Sequence, residues 1–373
     1  MTDETKPPEP PANALDMRAG MHLQPPHGRR QFLGNAAGAA IGLSVGLALG
    51  PLSLPSALAA RLREQGRGRV VGIEHAGALE SVRKENPAVV ETMTHEAVKA
   101  LTGKGTVSQA WRELVVPTDI VGIKLNCLAA PGMSTSPAMV AAIVAGLRSA
   151  GIPNERIILY EQYKDRLLDR SGFALNDDPK KGPLVMHLGG REPLSDEGLL
   201  GYEATPVKHG AGESCYSNLL KHCTAIINAP VIKDHNLSGV TVGMKNMTHG
   251  NIHNPHHFHE HDCNPQIAEI YAHSKILDKV RVVICDGLRV QYDGGPQDSP
   301  RARVAHHRIY AATDPVAIDS WGMVVVSELR ERHGKTPLSE RHPAGNYLVR
   351  AAELGIGVAD PKTIDMQLTV LTS

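Results

Sequence analysis

Short apolar runs alternate with helical patterns along most of this chain, and no other feature restricts the fold so strongly. Residues 70–73, 120–125, 156–160, 225–228, 280–285 and 307–311 read as strands; several are almost continuously apolar, as strands buried on both faces are. Helical patterns cover residues 88–101, 137–150, 265–277, 315–330 and 345–354. Ser136 is placed to cap the helix that opens at Pro137, Gly151 to stop it, and Asp314 to cap the one that opens at Pro315. The pattern predicts an α/β fold, with a mixed, mostly parallel sheet and helices on both faces. Residues 165–212 are richer in Gly, Pro and charge and are expected to form a small irregular insertion.

The N-terminal stretch has a different character. Arg29-Arg30-Gln31-Phe32-Leu33 precedes an uncharged run over residues 36–54, with Ala57-Leu58-Ala59 as a small-residue cleavage site. This resembles a twin-arginine export signal, which implies a removed segment 1–59, a mature domain 60–373, passage through the twin-arginine translocase and a periplasmic or secreted destination. The other reading is an uncleaved anchor; the many Ala and Gly residues make the run weakly hydrophobic and favour cleavage, with no stable membrane span afterwards.

Charge narrows the partners. The chain has 39 basic and 39 acidic residues, so a general nucleic-acid binder is not expected. Cys127, Cys215, Cys223, Cys263 and Cys285 are scattered without a Cys-x-x-Cys pair, which argues against an iron–sulfur cluster and leaves one disulfide open. Histidine is the unusual residue, at 19 copies.

Polar residues collect where the strands end. Lys124 and Asn126, Glu161, Asn228 followed by Lys233-Asp234-His235, Asp286-Gly287, and Thr313-Asp314 each close a strand. Asn, Asp and Gly terminate strands for local reasons, but five such ends together point to a site, because open α/β sheets bind ligands beyond the carboxyl ends of their strands.

Six His fall between His249 and His261, interleaved with Glu260 and Asp262 and followed by Cys263. Imidazole with a thiol or carboxylate suits zinc, nickel, copper or iron rather than calcium or magnesium. On a strand His257, His259 and His261 would share a face, and on a helix His253, His257 and His261 would; Gly250, Asn254 and Pro255 favour a loop that wraps the site. The candidate metal ligands are His249, His253, His257, His259 and His261. A solvated tract that binds metal adventitiously, or a pH-responsive surface, fits the same composition.

Four motifs stand in an order that resembles the family known as domain of unknown function 362. They are Ile123-Lys124-Leu125-Asn126; Lys233 and His235 followed by Thr241 and Lys245-Asn246; Cys285-Asp286-Gly287 with Gly294-Gly295-Pro296; and Thr313-Asp314-Pro315-Val316-Ala317-Ile318-Asp319. The resemblance brings no established activity. A more distant one is to the nickel-pincer lactate racemases, on the ten-residue spacing of His235 and Lys245 with Gly239 and Gly243 between them. It implies that Lys245 could tether an organic cofactor, that His261 could bind nickel, and that the chemistry would be hydride exchange at a hydroxy-acid carbon. Where that family carries Tyr-Ser-Gly-Gly, this chain has Val240-Thr241-Val242-Gly243.

The expectation is therefore an exported, transition-metal-dependent enzyme acting on a small anionic molecule. His235 would be its acid–base group and Asp286 would orient a ligand; Lys233 and Lys245 would bind an anion or tether a cofactor, with Lys124, Asn126 and Asn246 beside them. A non-catalytic metal-delivery protein and a zinc hydrolase are the rival readings.

Overall fold

The structure is a computed structural model that describes residues 54–82, 84–190, 194–210, 212–342 and 347–372. The expected export signal lies mostly outside these residues. Its expected cleavage site does not: Ala57-Leu58-Ala59 is part of helix α1 (Leu54–Gln65), in which Ala59 and Leu62 are buried. Thr313 Oγ1 donates to Leu62 O at 2.7 Å, tying this helix to the end of a central strand. Among the described residues no helix is long and apolar enough to cross a membrane.

Ten strands form the main sheet: β1 (Arg69–Glu74), β2 (Val121–Lys124), β3 (Ile157–Glu161), β4 (Leu184–His187), β5 (Ala225–Asn228), β6 (Val231–His235), β7 (Gly239–Thr241), β8 (Val280–Gln291), β9 (Arg303–Ala312) and β10 (Asp365–Val370). Their order is β10-β1-β9-β8-β5-β2-β3-β4, with β6 also paired to β8 and β7 paired to β6. The pairs β8/β5, β5/β2, β2/β3 and β3/β4 are parallel, while β9 runs antiparallel to both its neighbours. The sheet is thus mixed and mostly parallel, in an α/β fold.

Alternation along the strands builds two cores. Val121 and Ile123, Ile157 and Leu159, and Ala225 and Ile227 join a cluster with α2 (Pro87–Thr102), α3 (Val107–Leu114) and α4 (Pro137–Ser149). Ile158, Tyr160 and Ile226 point the other way, into a cluster with α5 (Gly243–Thr248), α6 (Gln266–Ala272) and α8 (Tyr347–Glu353). Helix α7 (Pro315–Arg332) covers a third cluster against β8 and β9. Each buried Val, Leu or Ile contributes roughly 1.5–3 kcal/mol, so a period-two pattern with both faces apolar demands helices on both sides. The expected caps form: Ser136 accepts from Met139 N, and Asp314 accepts from Val316 N and Ala317 N.

The insertion at 165–212 is largely irregular but supplies β4, the edge strand of the sheet. The chain after Asn228 re-enters the sheet after Ala229-Pro230 as β6, so Lys233, Asp234 and His235 lie on a strand rather than beyond one. The helix expected over 265–277 breaks at His273, whose extended backbone (φ −66°, ψ 138°) separates α6 from a short turn of helix. All five Cys are free and buried.

Candidate metal and anion cleft

Register brings the polar strand ends side by side. Lys124 pairs with Asn228 on one side and with Tyr160, the neighbour of Glu161, on the other. Lys124 Nζ donates to Glu161 Oε1 at 2.9 Å, to Leu125 O at 2.6 Å and to Asn246 Oδ1 at 3.4 Å, with 1% of its side chain exposed. Glu161 also accepts from the backbone of Cys127 and Gln162, at 3.0 and 2.7 Å. Asn246 joins the ends of β2 and β5: Asn126 Nδ2 donates to its Oδ1 at 3.0 Å, and its Nδ2 donates to Asn228 Oδ1 at 2.8 Å. Gly250 is required here, since a Cβ would stand 2.6 Å from Lys124 Cε and 2.4 Å from Asn246 O.

Helix α5 delivers Lys245, Asn246 and, one turn on, His249. Its start is held by Asp319 of α7, which accepts from Gly243 N at 2.6 Å and from Met244 N, and also takes the Tyr347 hydroxyl at 2.7 Å. Burial pushes the Asp319 carboxyl up to about 7, against the hydrogen bond from Tyr347. Asp319, the last residue of the Thr313–Asp319 motif, thus has a positional role.

The His-rich tract is a kinked 3₁₀ segment (Pro255–Cys263) that ends with His261, Asp262 and Cys263 at φ +49°, +59° and +62°. Three successive non-glycine residues in the left-handed region are unusual, and the turn they make places Cys263 beside α5. One nitrogen of His249, one of His259 and Cys263 Sγ lie within 4.8 Å of one another. His259 Nδ1 donates to Pro255 O at 2.8 Å and His249 Nε2 to Phe258 O at 3.2 Å, which puts the lone pair of His259 on Nε2 and that of His249 on Nδ1, where the Thr248 hydroxyl stands 3.1 Å away. A carbonyl on the outer N–H is what orients metal-ligating His. Burial, then the Lys245 charge, lowers both imidazoles, His259 to about 4, so each is neutral and able to donate its lone pair.

The other candidates fall elsewhere. His253 Nδ1 accepts from Cys215 N at 3.0 Å, and the ring packs edge-on to Tyr202. His257 is exposed against Gly212 and Phe258, and His261 is exposed. Asp286 is buried away from the tract, accepting from Ser136 N at 2.9 Å and Leu288 N at 3.0 Å, and burial beside Glu85 raises it to about 7. Cys263 is the donor that periodicity conceals; the signal available is chemical, as the one soft donor at the end of the tract.

These groups surround a cleft of about 510 Å³, lined by Lys124, Asn126, Glu161, His235, Thr241, Lys245, Asn246, His249 and His259 on one side and by Leu128, Tyr163, Leu167 and Arg170 on another. The volume suits a small molecule. His235 stacks on His259 at 5.8 Å, and its Nδ1 accepts from Leu237 N and Ser238 N at 3.1 and 3.3 Å. Its proton is therefore on Nε2, and burial with the charges of Lys245, His259 and Lys233 drives the imidazolium form down to about 2. His235 is a neutral hydrogen-bond donor as it stands, not a base.

Lys233 is fully buried, and its Nζ has no hydrogen-bond partner; Thr241 Oγ1, directly across the β6/β7 pair, has none either. Burial lowers Lys233 to about 7 and lowers Lys245 as well, the latter opposed by Cys263. Asp234 faces away from the cleft groups; it accepts from Arg341 at 2.6 Å and from Gly295 N at 3.0 Å, fixing the segment whose Pro296 and Gln297 close the cleft. Glu161 is the one carboxylate in the lining, and it is already paired with Lys124.

Fold and site define an α/β protein with a cation-rich cleft and a His-His-Cys donor set at the carboxyl edge of its parallel strands. The family described as domain of unknown function (DUF362) matches residues 121–324, more than half of the chain, and this protein belongs to that family. Among solved structures it is similar to the lactate racemase apoprotein from Thermoanaerobacterium thermosaccharolyticum, at 12% identity and a TM-score of 0.36, over 69% of this chain. The match spans 57% of that structure's length. No curated protein matches the chain.

Proposed function

We propose that this protein is a transition-metal-dependent enzyme whose metal is held by His249, His259 and Cys263 and whose substrate is a small anion bound in the adjoining cleft. The observation that carries the reading is the convergence of three donor atoms within 4.8 Å beside a cleft with surplus cations. Two neutral imidazoles and a thiol suit zinc or nickel best, and a three-ligand set leaves a position open. Bound there, such an ion would act as a Lewis acid towards an oxygen of the substrate. The chain's own groups do the rest. His235 Nε2–H donates to a substrate oxygen, Lys245 in the lining and Lys233, buried across the strand pair from the lining residue Thr241, offset its negative charge, and Leu128, Tyr163 and Leu167 cover its apolar part.

Elemental analysis of tag-free protein tests the reading. One tightly held ion per chain, lost in His249→Ala and Cys263→Ser but kept in His253→Ala, is the expected result. Several labile ions, unaffected by these substitutions, would replace the enzyme by a delivery protein. Hydroxy acids are the first substrates to assay, as suggested by the spacing of His235 and Lys245, and zinc with hydrolysis of esters or amides would instead place the protein among hydrolases. Export through the twin-arginine translocase belongs to the same reading and is supported by Arg29-Arg30 and the uncharged run after them. Replacing both arginines by lysine is expected to retain the protein in the cytoplasm, as cell fractionation would read.

A further inference from the structure

Lys245 Nζ stands 3.3 Å from His259 Nε2 and 3.3 Å from Cys263 Sγ, so the ammonium already engages two of the three donors. It makes there the contacts that a metal ion would make, donating towards a lone pair of each group. An ion bonded to nitrogen and sulfur at about 2.0–2.3 Å needs that same position, and two cations cannot share it. Lys245 belongs to the cleft lining as well as to the cluster, so its side chain has an alternative place. Beyond it the buried Lys233 Nζ and Thr241 Oγ1 both lack partners. Two such orphaned donors in one stretch of sheet are costly unless something polar and negative completes them.

We propose that Lys245 is a placeholder cation: in the metal-free protein its ammonium fills the coordination position, and metal binding displaces it into the cleft, where it completes an oxyanion subsite with Lys233 and Thr241. The inference rests on the metal reading above and adds a linkage to it, since metal and anion each favour the displaced lysine and therefore each other. Removing the competing charge must tighten metal binding, while removing the displaced anchor must weaken anion binding.

The test uses the full chain, zinc(II) and inorganic phosphate. Zinc affinity is measured by competition with a chromophoric chelator for wild type, Lys245→Met and Lys245→Arg, with thermal melts to establish that each is folded. Lys245→Met is expected to bind zinc at least about tenfold more tightly than wild type, and Lys245→Arg, which keeps the charge, no more tightly. Phosphate is expected to bind the zinc-loaded wild type about tenfold more tightly than the zinc-free protein, a gain that Lys245→Met loses. Equal zinc affinity in wild type and Lys245→Met would overturn the placeholder and leave the metal site standing. Phosphate held equally well by zinc-loaded wild type and Lys245→Met would overturn the subsite, because the ion alone would then be the anchor. Absence of zinc binding in all three folded proteins would bring down the metal reading and this inference with it.

Discussion

Two polar regions meet at the carboxyl edge of the sheet, and they differ in how completely their atoms are partnered. Around Lys124, Glu161, Asn228 and Asn246 most buried donors and acceptors are used, with Asn126 Oδ1 and Tyr160 Oη as exceptions. On β6 and β7, Lys233 Nζ and Thr241 Oγ1 are buried without partners, and Lys245 leans on a thiol and an imidazole. The first region is scaffold: its charges are offset within the protein and hold three strands and a helix in register. The second is unfinished in that a buried ammonium and a buried hydroxyl have no partner within the protein, and such a region in a packed interior calls for an explanation.

The sharpest way to break the contrast is to damage the scaffold. Glu161→Gln leaves the Lys124 ammonium buried and unpaired, at an expected cost of about 3–5 kcal/mol by denaturant titration, with metal binding lost through unfolding rather than through the donors. Asp319→Ala strips the acceptor from Gly243 N, Met244 N and Tyr347 Oη. It is expected to cost about 3 kcal/mol and to loosen zinc binding, because α5 carries Lys245 and leads into His249.

The unfinished region should respond in the opposite direction. Lys233→Met removes an unpartnered buried cation and is expected to stabilise the ligand-free fold by about 2 kcal/mol at pH 6 while weakening phosphate binding. The pH dependence fixes the sign. Lys233 ionises near 10.5 in an unfolded chain but near 7 in the fold, so between those values the unfolded state holds more protons. Wild-type stability therefore rises by this group's contribution from about pH 7 to about pH 10.5, and Lys233→Met lacks that rise. A variant less stable than wild type at pH 6 would show that the ammonium has a partner in solution. The smallest effect belongs to the exposed tract. His257→Ala and His261→Ala together are expected to leave zinc affinity within about twofold and stability within about 0.5 kcal/mol, and a larger loss of metal would shift the site outward along the loop.

Much of the scaffold was legible because its causes are local. Ser136 and Asp314 cap the helices that their sequences announce, and the strand ends at Lys124, Glu161 and Asn228 do converge. The cluster of donor atoms was legible only as a tract. Strand and helix periods grouped His257 with His261, whereas the pair brought together is His249 with His259, because the tract is a 3₁₀ segment ending in three left-handed residues and follows neither period.

What the sequence by itself determined is the layer plan and the chemical inventory. Period-two burial on strands and capped helices require a covered sheet, and six His with a Cys in one tract require an account in terms of imidazole chemistry. Tertiary structure alone decided which donors converge and which polar atoms go without partners. Lys124 meets Asn246 across 122 positions and Asp319 holds Gly243 across 76, contacts set by strand order and helix docking rather than by neighbouring residues. Local sequence fixes backbone preference over a few residues, but convergence at a site is a property of the packed chain.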